Sequence, residues 1–394
     1  MPSDLIVPVA VVKRVHNHPN ADRLDICEVL GYQCCVARDE LKSGDKKIYI
    51  PIDSVLPEKL SDELGVTAHL SRGRVRQVRL RGEPSFGIIM DIPKGCDWEE
   101  GFNAAEYLKI AKYEPPVHTA NNANKTGNPH RHDPKIDPHL HRYTHIQNGR
   151  LHSNVFEDGE RVIVTEKIHG TSSRICMVDN IPIACSMGKA AGFNGRRQLP
   201  QVINNNNFIY RWWNKRFKDN PNHLRTFSKD MKFDNPLMKA ETYWFPWTIP
   251  GVVDMMYNEN HDSTVVTLYG EIYGGSVQSL DYGIPKGNGF GYAAFDIAIN
   301  GKYVDAAKFY TVCNTYGIPV VPTICTCPYS LEKMKELSDG KSIVKGAEKQ
   351  KYREGCVVKP ISERTHPKLG RTVLKFIGTE YSLSKHKDKD TTDV

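Results

Sequence analysis

The side chains with the most chemistry to offer lie in Thr165-Glu166-Lys167-Ile168-His169-Gly170-Thr171-Ser172-Ser173-Arg174. Lys167 supplies an amine. A free lysine has a pKa of about 10.4, so roughly one amine in two thousand is neutral at pH 7. Only the neutral amine is a nucleophile. A site that used Lys167 would have to lower that pKa, most directly with nearby cations or a metal. Two carboxylates stand further along, Glu271 in Leu268-Tyr269-Gly270-Glu271-Ile272-Tyr273-Gly274 and Glu354 in Glu354-Gly355-Cys356-Val357-Val358-Lys359-Pro360. Such groups are hard oxygen ligands for Mg²⁺ or Mn²⁺, directly or through metal-bound water. Lys359, and Lys375 in Leu374-Lys375-Phe376, are compact cations suited to phosphate oxygens. Phe295, in Phe295-Asp296-Ile297, offers an aromatic face. Taken singly, each feature is common: a surface lysine before a turn, carboxylates on solvated faces, a phenylalanine in a core.

Elements must position these groups. Val162-Ile163-Val164 is β-branched and follows the turn signal Glu157-Asp158-Gly159-Glu160, so it reads as a strand delivering Lys167. Gly170 then lets the backbone approach a ligand closely. At 394 residues with 39% hydrophobic and 25% charged, the chain is expected to hold two globular domains, three being possible. Residues 1–110 carry short apolar or alternating runs at Val7 to Val15, Leu24 to Val29, Gln33 to Val36 and Lys47 to Ile50. Turn chemistry at His18-Pro19-Asn20, Gly31 and Ser43-Gly44-Asp45 separates them, which suggests a small barrel of OB type. Arg72, Arg74, Arg76, Arg79 and Arg81 crowd one window. On an extended strand the first three share a face and form a row able to track a phosphate backbone. The alternative is an edge strand blunted by charge.

Residues 111–135 read as a linker, opened by Glu114-Pro115-Pro116. Histidines cluster there and just beyond, including two His-x-His pairs ending at His132 and His141. No cysteine or carboxylate cage accompanies them, so a solvated loop is expected rather than a metal site. Residues 136–382 form the second domain, with helices expected over Val304 to Tyr316 and Leu331 to Leu337, and residues 383–394 a flexible tail. Between Gln198 and His261, Trp212, Trp213, Trp244 and Trp247 interleave with cations, as an elaboration with its own small core or as stacking platforms for bases. The net charge of +7 suits a polyanionic partner. No apolar run approaches transmembrane length, no secretory signal is evident, and ten scattered cysteines lack zinc spacing. A soluble intracellular protein with free thiols and no membrane partner is expected.

The order of these motifs resembles that of the covalent nucleotidyltransferases: DNA ligases, RNA ligases and mRNA capping enzymes. Lys167-x-x-Gly170 is similar to their signature, in which the lysine attacks a nucleotide α-phosphate. The segments around Glu271, Phe295, Glu354 and Lys375 follow as the family's later motifs do. The segments His16 to Leu24, Gly44 to Pro51, and Arg79 to Gly87 look like the OB module that precedes the nucleotidyltransferase domain in one RNA ligase family. DNA ligases and capping enzymes carry that module afterwards, and too few residues follow Gly378 for a barrel.

The resemblance implies an α+β protein: an N-terminal OB-like barrel, then a nucleotidyltransferase domain of antiparallel sheets with helices. It implies an ATP-dependent RNA ligase that seals 5′-phosphate and 3′-hydroxyl ends through a lysyl-AMP, with Mg²⁺ or Mn²⁺, acting as a monomer on broken RNA in repair. The implied catalytic residue is Lys167. The implied nucleotide-binding set is Glu166, Lys167, Gly170, Arg174, Glu271, Phe295, Glu354, Lys359 and Lys375. Glu271 and Glu354 would serve the metal, and Arg72, Arg74, Arg76 and Lys189 the nucleic acid. Three positions depart from the pattern. His169 stands where the family often has aspartate. Met187 stands where it usually has arginine, leaving Lys189 or Arg174 for that role. Val373 replaces the first lysine of the last motif, with Arg371 nearby. A DNA ligase, a capping-type guanylyltransferase and a non-catalytic RNA-binding protein that keeps the fold stay open as alternatives.

Overall fold

The computed structural model describes residues 5–113, 141–178, 181–186, 242–259, 264–274, 277–285 and 288–384. Lys189, Met187, Trp212, Trp213 and most of the clustered histidines lie outside them.

The N-terminal region is built from short antiparallel strands. Lys46–Ile50 sits between Val9–Val11 and Ile88–Met90, and Leu24–Val29 sits between Arg14–Asn17 and Tyr32–Ala37. The run expected as one strand from Val7 to Val15 is therefore two, each in a different sheet. Leu30 and Gly31 both have positive φ, 49° and 74°, and close the hairpin between Val29 and Tyr32. Two positive-φ residues give the turn whose twist matches its strands. Ala10, Cys27, Val29, Cys34 and Tyr49 form one side of the core, and Val7, Val9, Ile48, Ile50 and Leu56 the other. Ala111–Lys112 pairs with Ser54–Val55, so these residues belong to this module and not to the linker expected from 111.

The expected strand carrying Arg72, Arg74 and Arg76 is not formed. Arg72 (φ 55°) and Gly73 (φ 77°) turn the chain there. A Cβ on Gly73 would lie 2.9 Å from the Leu56 carbonyl, so the turn is pressed against its neighbour. Arg74 is spent on structure: its Nη2 lies 2.6 Å from Asp53 Oδ1, and its guanidinium stacks 3.8 Å over the Tyr113 ring. Arg72 and Arg76 are exposed.

The second region consists of two facing five-stranded sheets. The first has the order Gln147–Asn148, Leu374–Ile377, Gly355–Pro360, Arg161–Lys167, Thr323–Pro328. The second has the order Ile181–Ser186, Thr171–Val178, Val266–Tyr273, Gly291–Ile299, Lys302–Tyr303. Side chains alternate across each strand. Val162, Val164, Cys356, Val358, Leu374 and Phe376 face away from the cleft and pack with Met334 of the helix Leu331–Ser338. Ser330 caps that helix, its Oγ accepting from Lys333 N at 3.2 Å. The far face of the second sheet, with Ile175, Leu268, Ile272 and Ile297, packs on the helices Pro250–Glu259 and Ala306–Tyr316. Gly317, at φ 65°, ends the latter in a left-handed cap. Trp247 is buried in this core rather than offered to a ligand. All ten cysteines are free thiols. No helix among the described residues is long and apolar enough to cross a membrane.

Candidate active site

The chain passes from one sheet to the other in three residues. Arg161–Lys167 ends at Lys167, and Thr171–Val178 begins immediately after Gly170. Lys167 therefore sits where the sheets meet. Registers Ile163↔Lys359, Thr165↔Val357, Lys167↔Gly355 and Val357↔Lys375 place Lys167, Lys359 and Lys375 on one face of the first sheet. Across the cleft, Ser172↔Glu271 and Arg174↔Tyr269 share a face of the second. Alternation along these strands sets the three lysines on one face and Val162, Val164, Val358 and Leu374 on the other, with Glu166 among the latter.

Lys167 Nζ donates to Glu354 Oε1. Glu354 is fully buried, and its second oxygen lies 3.4 Å from His169 Nδ1. His169 is enclosed: Nδ1 is 3.3 Å from the Tyr381 hydroxyl, Nε2 is 3.4 Å from Ser279 Oγ, and its backbone N–H donates to the Tyr282 hydroxyl at 2.7 Å. Glu271 Oε2 accepts from Ser172 Oγ at 2.8 Å. A Cβ on Gly170 would fall 2.3 Å from the Ile272 carbonyl and 3.0 Å from Glu271 Cγ. The glycine thus permits close approach of a strand, and the strand it admits carries Glu271.

Glu166 does not face the cleft. Its Oε1 accepts from Ser342 Oγ at 2.6 Å and its Oε2 from Ile343 N at 2.7 Å, which pins the loop before Gly355. Burial pushes its carboxyl above the usual range, against the pull of those hydrogen bonds. Arg174 is 2% exposed, and burial lowers its pKa. It lies deep in the second sheet rather than at the cleft mouth.

Lys359 is far from Lys167. Four residues of register separate them, about 13 Å along the strands. Its Nζ donates to the Phe295 carbonyl at 2.7 Å and to Asp296 Oδ2 at 2.6 Å. Asp296 is also gripped by Arg371, at 2.9 and 3.0 Å, and by the Tyr143 hydroxyl. Arg371 reaches on to Glu363. Burial alone would raise the Asp296 carboxyl, but Lys359 and Arg371 outweigh it and hold the group below its ordinary value. Lys359 and Arg371 therefore close the inner end of the cleft and are not available to phosphate in this arrangement. Phe295 packs edge-on to Tyr143, ring centroids 4.9 Å apart, beside the Lys359 stem and Val321, and remains partly exposed in the cleft.

No group of three or more metal-binding side chains gathers among the described residues. Glu271 and Glu354 face the same junction, and Mg²⁺ needs no protein cage: it keeps several waters and takes one or two carboxylates with substrate phosphates. Tyr381, Ser279 and Tyr143 carried no local signal in the sequence. They reach the site only through contacts more than a hundred residues away in the chain.

Comparison with known proteins bears on the family and the fold. The RNA ligase family model matches residues 160–377, and a family model for an OB-fold domain matches residues 6–92. No curated protein matches the chain. Among solved structures, a Naegleria gruberi RNA ligase lysine-to-alanine mutant with ATP and Mn is 20% identical, with 98% of this chain and 100% of that one covered and a TM-score of 0.63. The same ligase with PPi is 21% identical, with 97% and 99% covered and a TM-score of 0.61. Its lysine-to-methionine mutant with AMP and Mn is 20% identical, with 97% and 99% covered and a TM-score of 0.61. The fold is thus an N-terminal OB-fold followed by a ligase-type nucleotidyltransferase domain. With the family match spanning more than half of the chain, this protein belongs to the RNA ligase family.

Proposed function

We propose that this RNA ligase is ATP-dependent and seals RNA through a lysyl-AMP on Lys167. The observation that carries the reading is the meeting of Lys167 with the buried Glu354 at the junction of the two sheets, opposite Glu271. Lys167 attacks the α-phosphorus of ATP. An N–P bond forms, the α–β phosphoanhydride bond breaks, and pyrophosphate leaves. An ammonium has no lone pair to give, so a proton leaves Lys167 first, and Glu354 is the carboxylate in contact to receive or relay it. The AMP then passes to an RNA 5′-phosphate. Finally a 3′-hydroxyl attacks that phosphate and AMP departs. Each step is transfer at phosphorus, so in-line placement and neutralisation of charge supply the catalysis. Lys375, on the Lys167 face of its sheet, is the proposed phosphate contact, and Phe295 the proposed stack for the base. Glu271 and Glu354 would hold Mg²⁺ or Mn²⁺ through water, which supplies a counter-charge to the phosphates.

The OB module preceding the catalytic domain supports ligation of RNA over capping. RNA ends are the substrate, in repair, and the exposed Arg72 and Arg76 are proposed to contact the backbone, with Lys189 a further candidate. The division proposed is a module to residue 113, a connecting stretch, and a catalytic domain from about 136 that includes the helix Thr379–Leu383. The test is incubation with α-labelled ATP or GTP and a divalent metal, followed by denaturation. Acid-labile label from ATP on wild type and none on Lys167→Ala is expected. Label from GTP alone would move the reading to capping, and no label from either to RNA binding.

A further inference from the structure

The helix Thr379–Leu383 touches three things at once. Its Tyr381 is 1% exposed and sets its hydroxyl 3.3 Å from His169 Nδ1, with the two rings 5.4 Å apart at 65°. Its flanks engage the N-terminal module: Gln77 Nε2 donates to the Ser382 carbonyl, Arg79 Nη2 lies 3.1 Å from Glu380 Oε1, and Leu383 packs against the core that holds Cys27 and Tyr49. Its base is tied to the site itself, where Gly378 N donates to the Glu354 carbonyl at 2.9 Å.

His169 Nδ1 faces Glu354 Oε2 and the Tyr381 hydroxyl together. The ring nitrogen carries one proton or one lone pair, so whichever tautomer is populated, its bond to Tyr381 determines how it can meet Glu354. Outer partners of this kind orient the groups that do chemistry, and their loss costs about 10–100-fold where it has been measured around metal ligands.

We infer that Tyr381 is a positioning residue for lysine adenylation: through His169 it sets the Glu354 carboxylate against Lys167. The inference rests on the proposed lysyl-AMP chemistry.

The experiment is single-turnover adenylation of the full-length protein with labelled ATP, comparing wild type, Tyr381→Phe, His169→Ala and the double variant. Tyr381→Phe keeps the ring and removes only the hydroxyl. It should slow the adenylation step about tenfold, with half-saturating ATP changed less than twofold and an unaltered unfolding midpoint. The double variant should be no slower than His169→Ala alone, since the two act through one path. A full rate in Tyr381→Phe, or losses that multiply in the double variant, would overturn the inference while leaving the lysyl-AMP reading intact. Wild type that takes no label overturns both. Should Tyr381→Phe fold poorly, Gln77→Ala loosens the helix from outside the site and must slow adenylation; a full rate there overturns the inference as well.

Discussion

Lys167 and Lys359 are the same residue type on the same face of the same sheet, and the fold treats them differently. Lys359 donates to Asp296 and to a backbone carbonyl, inside a buried network with Arg371, Glu363 and Tyr143. Every charge there has an opposite neighbour, and both sheets are pinned through it. Lys167 sits at the open end beside a three-residue crossing, with a carboxylate that His169 also approaches. Lys359 is locked into a network that joins the two sheets, whereas the carboxylate that meets Lys167 is one that His169 also approaches. The comparison teaches that surroundings, not residue type, separate a strut from a nucleophile.

The sharpest way to break this contrast is to exchange the losses. Lys167→Ala should reduce adenylation by at least about 10³-fold, as removal of a nucleophile does. Asp296→Ala should instead act first on stability. It strips the common partner from Lys359 and Arg371, and truncating one member of a buried pair costs about 3–5 kcal/mol. Urea unfolding followed by fluorescence reads this directly, and a variant as stable as wild type would remove the strut from the account.

The same carboxylate makes a pH prediction. Its pKa is held down in the folded state by Lys359 and Arg371 despite burial. A depressed carboxylate contributes stability above its unfolded pKa, about 3.9, and loses that contribution as pH falls through the folded value. The stability gap between wild type and Asp296→Asn should therefore be full near neutrality and narrow below about pH 4. A gap that is constant down to acid unfolding would mean the charge of Asp296 is not what holds the network.

Gly170→Ala should have a smaller effect. Its Cβ would meet the Ile272 carbonyl, and overpacking of this kind costs about 1–3 kcal/mol. Because the strand displaced carries Glu271, adenylation should fall further than the unfolding curve alone explains. The smallest effects fall on the arginines of the N-terminal module, where the contrast repeats. Arg74→Ala removes a largely buried pair with Asp53 and a stacked ring, and should cost about 1 kcal/mol. Arg72→Ala should leave stability within about 0.5 kcal/mol, yet weaken RNA binding and flatten its salt dependence by about one unit of slope. Equal effects of the two on RNA affinity would mean that Arg74 leaves Asp53 when RNA binds.

Much of this was legible in the chain before folding. The β-branched run ahead of Lys167, the helices over residues 306–316 and 331–338, and the small β-rich module at the front follow from local pattern, because strand and helix periodicity act over a few residues. The order of the motifs pointed to the family for the same reason: each is a short segment whose chemistry needs only its own residues. Tertiary structure alone decided which charges meet. Lys359 finds Asp296 across 63 residues, Tyr381 finds His169 across 212, and Arg74 is taken by Asp53 after Arg72 and Gly73 turn the expected strand aside. Such partnerships depend on strand register and on the facing of two sheets. Both are set by the packing of the whole apolar core, and no local window of the sequence contains that.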